Sequence, residues 1–305
     1  VSTLLRNSDL AMYAAKKNGK RQCQFFDPQM QQTASQDLAL EQDLHKALAN
    51  NELFLLYQPI FSLQERRITG YEALIRWRHP SQGVLPPLQF IPVAEESGLV
   101  IAMGYWVIRQ VCQLIKKREQ RGSAPIRIAI NLSPQQFADA TLGSRIEEIV
   151  TEFSVPPQLI ELEITETALM DNVESAVSTL TQLRSSGFSI AIDDFGTGYA
   201  SLSQLKRLPV DTLKIDRSFI DEVAVDGSSD QIIVEAILAI ANKFKLDVVA
   251  EGIESTEQIA FLESNHCGYG QGFLFGRPVA EEHVLDDSRP LASDWPTGSN
   301  HKPGP

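Results

Sequence analysis

The chain has 305 residues, 43% of them hydrophobic and 22% charged, and its 27 Lys+Arg against 39 Asp+Glu give a net charge of −12. That composition supports a large core and argues against a disordered bulk. The acidic balance argues against non-specific binding to duplex nucleic acid, whose backbone it repels, while a small phosphorylated substrate stays compatible with it where metal ions supply positive charge.

Residues 7–18 (NSDLAMYAAKKN) read as a helix stopped at Gly19, and Cys23 to Phe26 as a short strand. A second helix follows, with Leu40, Leu44, Ala47 and Leu48 at i, i+4, i+7 and i+8, and it ends at Asn50-Asn51. Strand-like runs then fall near 54–60, 67–77, 126–131, 159–165, 188–193, 211–215, 246–250 and 272–275. From the second run onward, helical segments at 103–120, 141–153, 173–186, 201–207, 229–243 and 255–264 separate them. Alternating β and α argues for a parallel sheet, and eight strands argue for a closed barrel. Only Ser62 to Arg66 lies between the first two strands, too short for a parallel crossover. The expected fold is therefore α/β: a TIM-like (β/α)8 barrel with one antiparallel strand.

Around this barrel, 28–50 is expected to be a linker helix, 51–285 the main domain and 286–305, rich in Ser, Pro, Gly and Asp, a disordered tail. The first residue is Val1, so the chain is expected to be a fragment of a longer protein. No apolar run reaches the ~18 residues of a membrane helix, the richest being Ile232 to Phe244, and no membrane segment is expected. Cys23, Cys112 and Cys267 are far apart with no C-x-x-C, which argues against a disulfide framework or a thiolate zinc site and fits a cytoplasmic location.

Period-2 alternation sorts the polar residues of the strands onto one face. Arg127, Ala129 and Asn131 share a parity, as do Glu161, Glu163 and Thr165; Ser189, Ala191 and Asp193; Thr212, Lys214 and Asp216; Asp247, Val249 and Glu251. The apolar faces should meet the helices, so the polar faces point into the barrel, and Asn131, Glu163, Asp193, Lys214 and Glu251 gather at its C-terminal mouth. Carboxylates crowded there repel one another unless protonated or neutralised by cations, and oxygen ligands suit Mg²⁺ or Mn²⁺. Adjacent Asp193-Asp194 can serve two positions, as a two-metal site needs. Glu72 and Arg76 share a parity on the second strand, Glu72 as a further ligand and Arg76 as either a phosphate clamp or a surface ion pair. Gly196-Thr197-Gly198 follows a strand as a dinucleotide loop would. Ser201 takes the third glycine position and two aspartates precede the run, so a loop turning over the mouth is the better reading. His79, before Pro80, reads as a loop residue.

At these residues the chain resembles the EAL-domain family of cyclic-di-GMP phosphodiesterases, over about 50–280. The match is carried in order by Gln58-Pro59-Ile60, Glu72-Ala73-Leu74 within Tyr71 to Trp77, Phe90 to Glu96, Asn131-Leu132-Ser133, Glu163 to Glu166, Asp193 to Gly198, Leu213 to Asp216, Ala250 to Glu254 and Gln271 to Phe275. The resemblance implies metal ligands at Glu72, Asn131, Glu163, Asp193, Asp194 and Glu251, holding two ions of Mg²⁺ or Mn²⁺. It implies Lys214 against the attacking water, Gln271 at the mouth, and substrate contacts from Arg76, Gln58 and Leu74. It also implies that Glu166 steadies the loop after Asp194 and that the protein forms a homodimer. Residues 1–27 resemble the end of a GGDEF domain, through Asp9 to Ala15 and Phe25-Phe26-Asp27, without the motif itself. His266-Cys267-Gly268 departs from the family's usual Gly-Cys-Asp but removes no ligand.

The expected reaction is hydrolysis of cyclic-di-GMP to linear pGpG. Its competitors are a catalytically silent receptor, which the loss of a ligand would favour, and a Schiff-base aldolase using Lys214, which a carboxylate-rich mouth disfavours. Below the mouth, Arg127 is expected to pair with Glu161 inside the barrel, with Asp247 next in line, so that Arg127→Met would cost ~3–5 kcal/mol.

Overall fold

A computed structural model describes residues 2–17, 23–170, 172–198 and 202–286. The chain falls into two compact units, one drawn from Val1–Phe54 and Arg76–Val100, the other from Leu55–Ile75 and Ile101–Pro305.

Nine strands are present among the described residues: β1 (Leu53–Ser62), β2 (Arg67–His79), β3 (Gly83–Leu85), β4 (Arg127–Leu132), β5 (Ile160–Thr165), β6 (Ser189–Phe195), β7 (Thr212–Ile215), β8 (Asp247–Ala250) and β9 (Tyr269–Gly270). The larger unit is a barrel in the order β1-β9-β8-β7-β6-β5-β4-β2, closed by pairing of β1 with β2. Strands β2 and β4 to β9 run parallel, whereas β1 is antiparallel to β9. The turn between β1 and β2 passes through Arg66 at φ 54, whose N–H donates to Ser62 O at 2.9 Å. The α/β, TIM-like barrel with one antiparallel strand is thus the fold observed. Ile128, Ile130, Leu162, Ile164, Ile190, Leu213 and Ile215 alternate with the polar residues and join the helices in one buried core.

The closing strand departs from expectation. It is Tyr269–Gly270 rather than 272–275, because the chain from Gln271 folds back onto Ile253 instead of extending. Gln271 O accepts from Ile253 N–H at 3.1 Å, and a Cβ on Gly272 would stand 2.0 Å from Ile253 O, a contact only glycine permits. The helix Leu99–Gln120, at 22 residues, is long and apolar enough to cross a membrane by length and composition, which the reading of apolar runs did not anticipate. Half of that stretch is buried, with Ile108, Val111, Cys112 and Leu114 in the core, so it is a core helix.

In the smaller unit the helix Pro28–Ala47 starts on Asp27, whose carboxylate accepts Gln29 N–H at 2.8 Å, and buries Leu44 and Ala47. Cys23 to Phe26 carries no regular structure, not the expected strand. Two elements here went unread in the sequence: β3, antiparallel to the end of β2, and the helix Pro87–Ser97, with Pro92 inside it and Gly98 capping it at φ 76. His79 ends β2 rather than lying in a loop, buried beside Trp77, with Nε2 3.4 Å from Asp43. The expected tail lies outside the described residues from 287 onward.

Candidate active site

Strand register brings the expected residues to one end of the barrel. Asn131 is level with Glu163, Thr165 with Asp193, and Glu72 with Ala129. The pairing of β6 with β7 runs Ile192 to Leu213 and then Phe195 to Ile215, so β6 holds one extra residue there. This bulge puts Asp194 at φ 54, a left-handed conformation that Asp tolerates better than most residues. It lets two consecutive aspartates, both half-buried, come to the mouth, where strict alternation would turn one away.

Lys214 sits at the centre, only 1% exposed. Its Nζ lies 2.7 Å from Glu251 Oε1, 2.8 Å from Glu163 Oε1, 3.3 Å from Asp193 Oδ1 and 3.6 Å from Glu72 Oε2. Glu72 is held from both sides: Asn131 Nδ2 donates to its Oε1 and Gln271 Nε2 to its Oε2, each at 2.7 Å. With its nitrogen so engaged, Asn131 keeps its amide oxygen for another partner.

One ammonium among four carboxylates leaves an excess of buried negative charge, and the pKa shifts follow. Burial raises the Glu163 carboxyl well above its ordinary range, with Glu72 and Asp193 adding to the push and Lys214 opposing it. Burial likewise brings Glu251 up to about 7 and raises Asp194. Glu72 goes the other way: burial pushes it up, but Lys214 and the two amide donors outweigh that and hold it low. Lys214, which burial alone would push down, is held well above its ordinary value by Asp193, Glu163, Glu251 and Glu72.

The donor set fits hard divalent cations. It is made of oxygens, and both oxygens of Glu163, Oδ1 of Asp193 and Oε1 of Gln271 are buried without a hydrogen bond, Glu163 meeting Nζ at ion-pair distance but not in hydrogen-bond geometry. As they stand, no three acidic, His or Cys side chains among the described residues surround a common ion position; the carboxylates converge on the Lys214 ammonium instead. Of the residues the sequence marks as ligands, Glu72, Glu163, Asp193 and Glu251 surround Lys214, Asn131 bonds to Glu72, and Asp194 follows Asp193 at the bulge.

The sequence matches the EAL domain family over residues 41–278. The chain belongs to the EAL domain family. It is 42% identical over 276 residues to the cyclic di-GMP phosphodiesterase NbdA of Pseudomonas aeruginosa, covering 90% of this chain and 35% of that protein. To the cyclic di-GMP phosphodiesterase PdeR of Escherichia coli it is 40% identical over 278 residues, 91% of this chain and 42% of that one. The chain thus spans about two fifths or less of the length of these curated relatives. A solved structure, the PaMucR phosphodiesterase in complex with c-di-GMP, superposes with a TM-score of 0.78 at 43% identity over 81% of this chain and 99% of that one.

In this EAL domain the mouth opens as a cavity of about 240 Å³ lined by Glu72, Asp193, Glu251, Gln271 and the expected Gln58. Two further lining residues were not anticipated, Arg217 and Phe273. Arg217 directly follows Asp216 of the Leu213-to-Asp216 run and reaches Glu254 at 3.1 Å and Asp221 at 3.2 Å. Phe273, 45% exposed with the Arg277 guanidinium 4.3 Å from its ring centre, follows Gln271 at period 2. A basic or aromatic residue just after a mouth residue was the available signal. Leu74 is half-buried on β2 and Arg76, in the other unit, is half-buried near that strand's end; neither lines the cavity. Glu166, 2% exposed, accepts Gly196 N–H at 2.9 Å, and its carboxylate lies so close to Gly198 that a Cβ there would come within 2.5 Å of it.

The floor of the barrel corrects one expectation in part. Arg127 Nη1 does lie 3.5 Å from Glu161 Oε1, but its side chain is 45% exposed, so the pair is not sealed from water. It opens into a cavity of about 250 Å³ that Asp247 and Tyr269 also line. A small apolar cluster of Ile60, Ala129 and Val249, with Tyr269 against it, lines the same cavity.

Proposed function

We propose that this EAL domain hydrolyses one phosphodiester bond of cyclic-di-GMP to give linear pGpG, lowering the level of that second messenger in a bacterial cytoplasm. The observation that carries the reading is the cluster of four carboxylates on Lys214, with buried oxygens lacking hydrogen bonds and an amide held on either side of Glu72. The names of the relatives support the substrate. Two divalent cations, Mg²⁺ or Mn²⁺, held by Glu72, Asn131, Glu163, Asp193, Asp194 and Glu251, would supply Lewis acidity that activates water and stabilises charge on the phosphoryl oxygens.

The remaining work falls to the chain's own groups. Asn131 and Gln271 fix the rotation of Glu72. Lys214 keeps its proton while four carboxylates face it; once their charge is neutralised, burial pushes its pKa down, and Nζ orients the attacking water as the ammonium or takes its proton as the free amine. Arg217 adds positive charge at the rim for an anionic substrate, Phe273 offers an apolar face and Gln58 lines the same cavity; the family resemblance supports Leu74 and Arg76 as further substrate contacts. Glu166 ties down the loop that follows Asp193 and Asp194. We also assign residues 1–27 to the end of an upstream GGDEF domain, 28–50 to a linker helix and 51–285 to the phosphodiesterase, acting as a homodimer.

The test is incubation of the protein with cyclic-di-GMP, with and without Mg²⁺, followed by chromatography of the products. Cation-dependent pGpG is expected. Tight binding without turnover would replace hydrolysis by a receptor role, and neither binding nor turnover would end the reading.

A further inference from the structure

Two side-chain links cross the barrel interior from β5 to β7, one above the other. The upper is Glu163 with Lys214; the lower is Glu161, whose Oε1 accepts from Thr212 Oγ1 at 2.8 Å. Each partner of the lower link precedes its upper counterpart by two residues on the same strand, and all four are at most 4% exposed. Strand β6 lies between them, and its residue in register with both Glu163 and Thr212 is Ala191, whose methyl group leaves room for the side chains of β5 and β7 to meet.

The two links differ in what they depend on. The upper one includes Glu163, a proposed cation ligand, and would be lost when that carboxylate turns toward a cation. The lower one uses no group from the candidate ligand set, and Arg127 holds the same Glu161 oxygen from outside at 3.5 Å. We infer that Glu161 and Thr212 are positioning residues: their hydrogen bond fixes the spacing of β5 and β7, and so the place of Lys214 Nζ, when the carboxylates no longer hold it. The inference rests on the proposed hydrolysis for its kinetic readout only.

Thr212→Val keeps the shape and removes the donor; Thr212→Ser restores it. With cyclic-di-GMP and Mg²⁺, Thr212→Val should lose about tenfold or more in kcat, the scale on which a small misplacement of a reacting group acts, with KM within about twofold, and Thr212→Ser should recover most of the loss. A merely structural link would lower Tm in Thr212→Val and leave kcat where it was. The ammonium signal of Lys214 in ¹⁵N-lysine-labelled protein saturated with Mg²⁺, without substrate, gives a readout independent of turnover: it should shift or broaden in Thr212→Val and hold its place in Thr212→Ser. Should Thr212→Val fail to fold, Glu161→Met removes the acceptor instead, leaving Arg127 its exposure to water. An unchanged kcat and an unmoved Lys214 signal in the folded variant would overturn the inference. If the wild-type protein does not hydrolyse cyclic-di-GMP, the proposed function falls while the Lys214 signal still decides the link.

Discussion

The two ends of the barrel handle buried charge in opposite ways. At the mouth, four carboxylates surround one ammonium that is 1% exposed, and Lys214 alone cannot balance them. At the floor, Arg127 meets Glu161 while 45% of its own side chain stays in water. Burial raises Glu161 and Asp247 there too, but Arg127 and, for Glu161, the Thr212 hydroxyl oppose it. An unbalanced charge distribution is kept at one end only, and that is where the fold concentrates chemistry. The floor carries an ion pair with one partner, Glu161, buried and the other, Arg127, half in water.

The contrast can be broken most severely at Glu72. Glu72→Ala removes a ligand and frees both amide partners, and turnover should fall ~10³-fold or more, several kcal/mol of transition-state stabilisation; near wild-type turnover would move the site elsewhere. Lys214→Ala should lower kcat ~10²-fold, the scale of lost general-base help, with KM changing less. A rise in KM alone would make Lys214 a binding residue.

A pH series sharpens the comparison further. The Glu251 carboxyl is raised from 4.5 to about 7, so the folded state holds that proton more tightly than the unfolded chain. Its stabilising contribution is complete below about 4.5 and is lost as pH rises through about 7. Glu163, raised in the same direction, adds to the slope. Cation-free protein should therefore melt several degrees higher at pH 5 than at pH 8. Glu251→Gln should flatten that slope, and saturating Mg²⁺ should shrink it. Glu72, held below 4.5, loses its contribution only in more acid solution and does not enter this window. The smallest effect belongs to the floor: with Arg127 half in water, Arg127→Met should cost about 1 kcal/mol in a denaturant titration. A loss of ~3–5 kcal/mol would restore the sealed pair that parity suggested.

Much of this was legible in alternation. The parity of Asn131, Glu163, Asp193, Lys214 and Glu251 located the mouth, because side chains of a strand cannot choose their face. Alternation could not reveal the bulge that brings Asp194 beside Asp193, since an extra residue leaves no mark in composition. It placed Arg127 inward correctly but said nothing of how far a long side chain reaches back to water. Three-residue β3 is too short to show a period, and the prolines at 86, 87 and 92 masked the helix Pro87–Ser97. The strand expected at 272–275 failed for a tertiary reason: Gly272 packs onto the Ile253 backbone, a contact between residues distant in sequence that no local pattern encodes.

The two-residue β9 has a consequence for how the molecule comes apart. It joins β1 through Phe61 and Ser62, and β8 through Val249 and Ala250, where β4 and β5 share five paired positions. A seam this narrow is where amide protons should exchange first, by local opening well below the free energy of global unfolding. Gln271 follows the seam directly and holds Glu72 Oε2. Each such opening releases that carboxylate while the rest of the barrel stays closed, so heating should silence the site before it melts the fold.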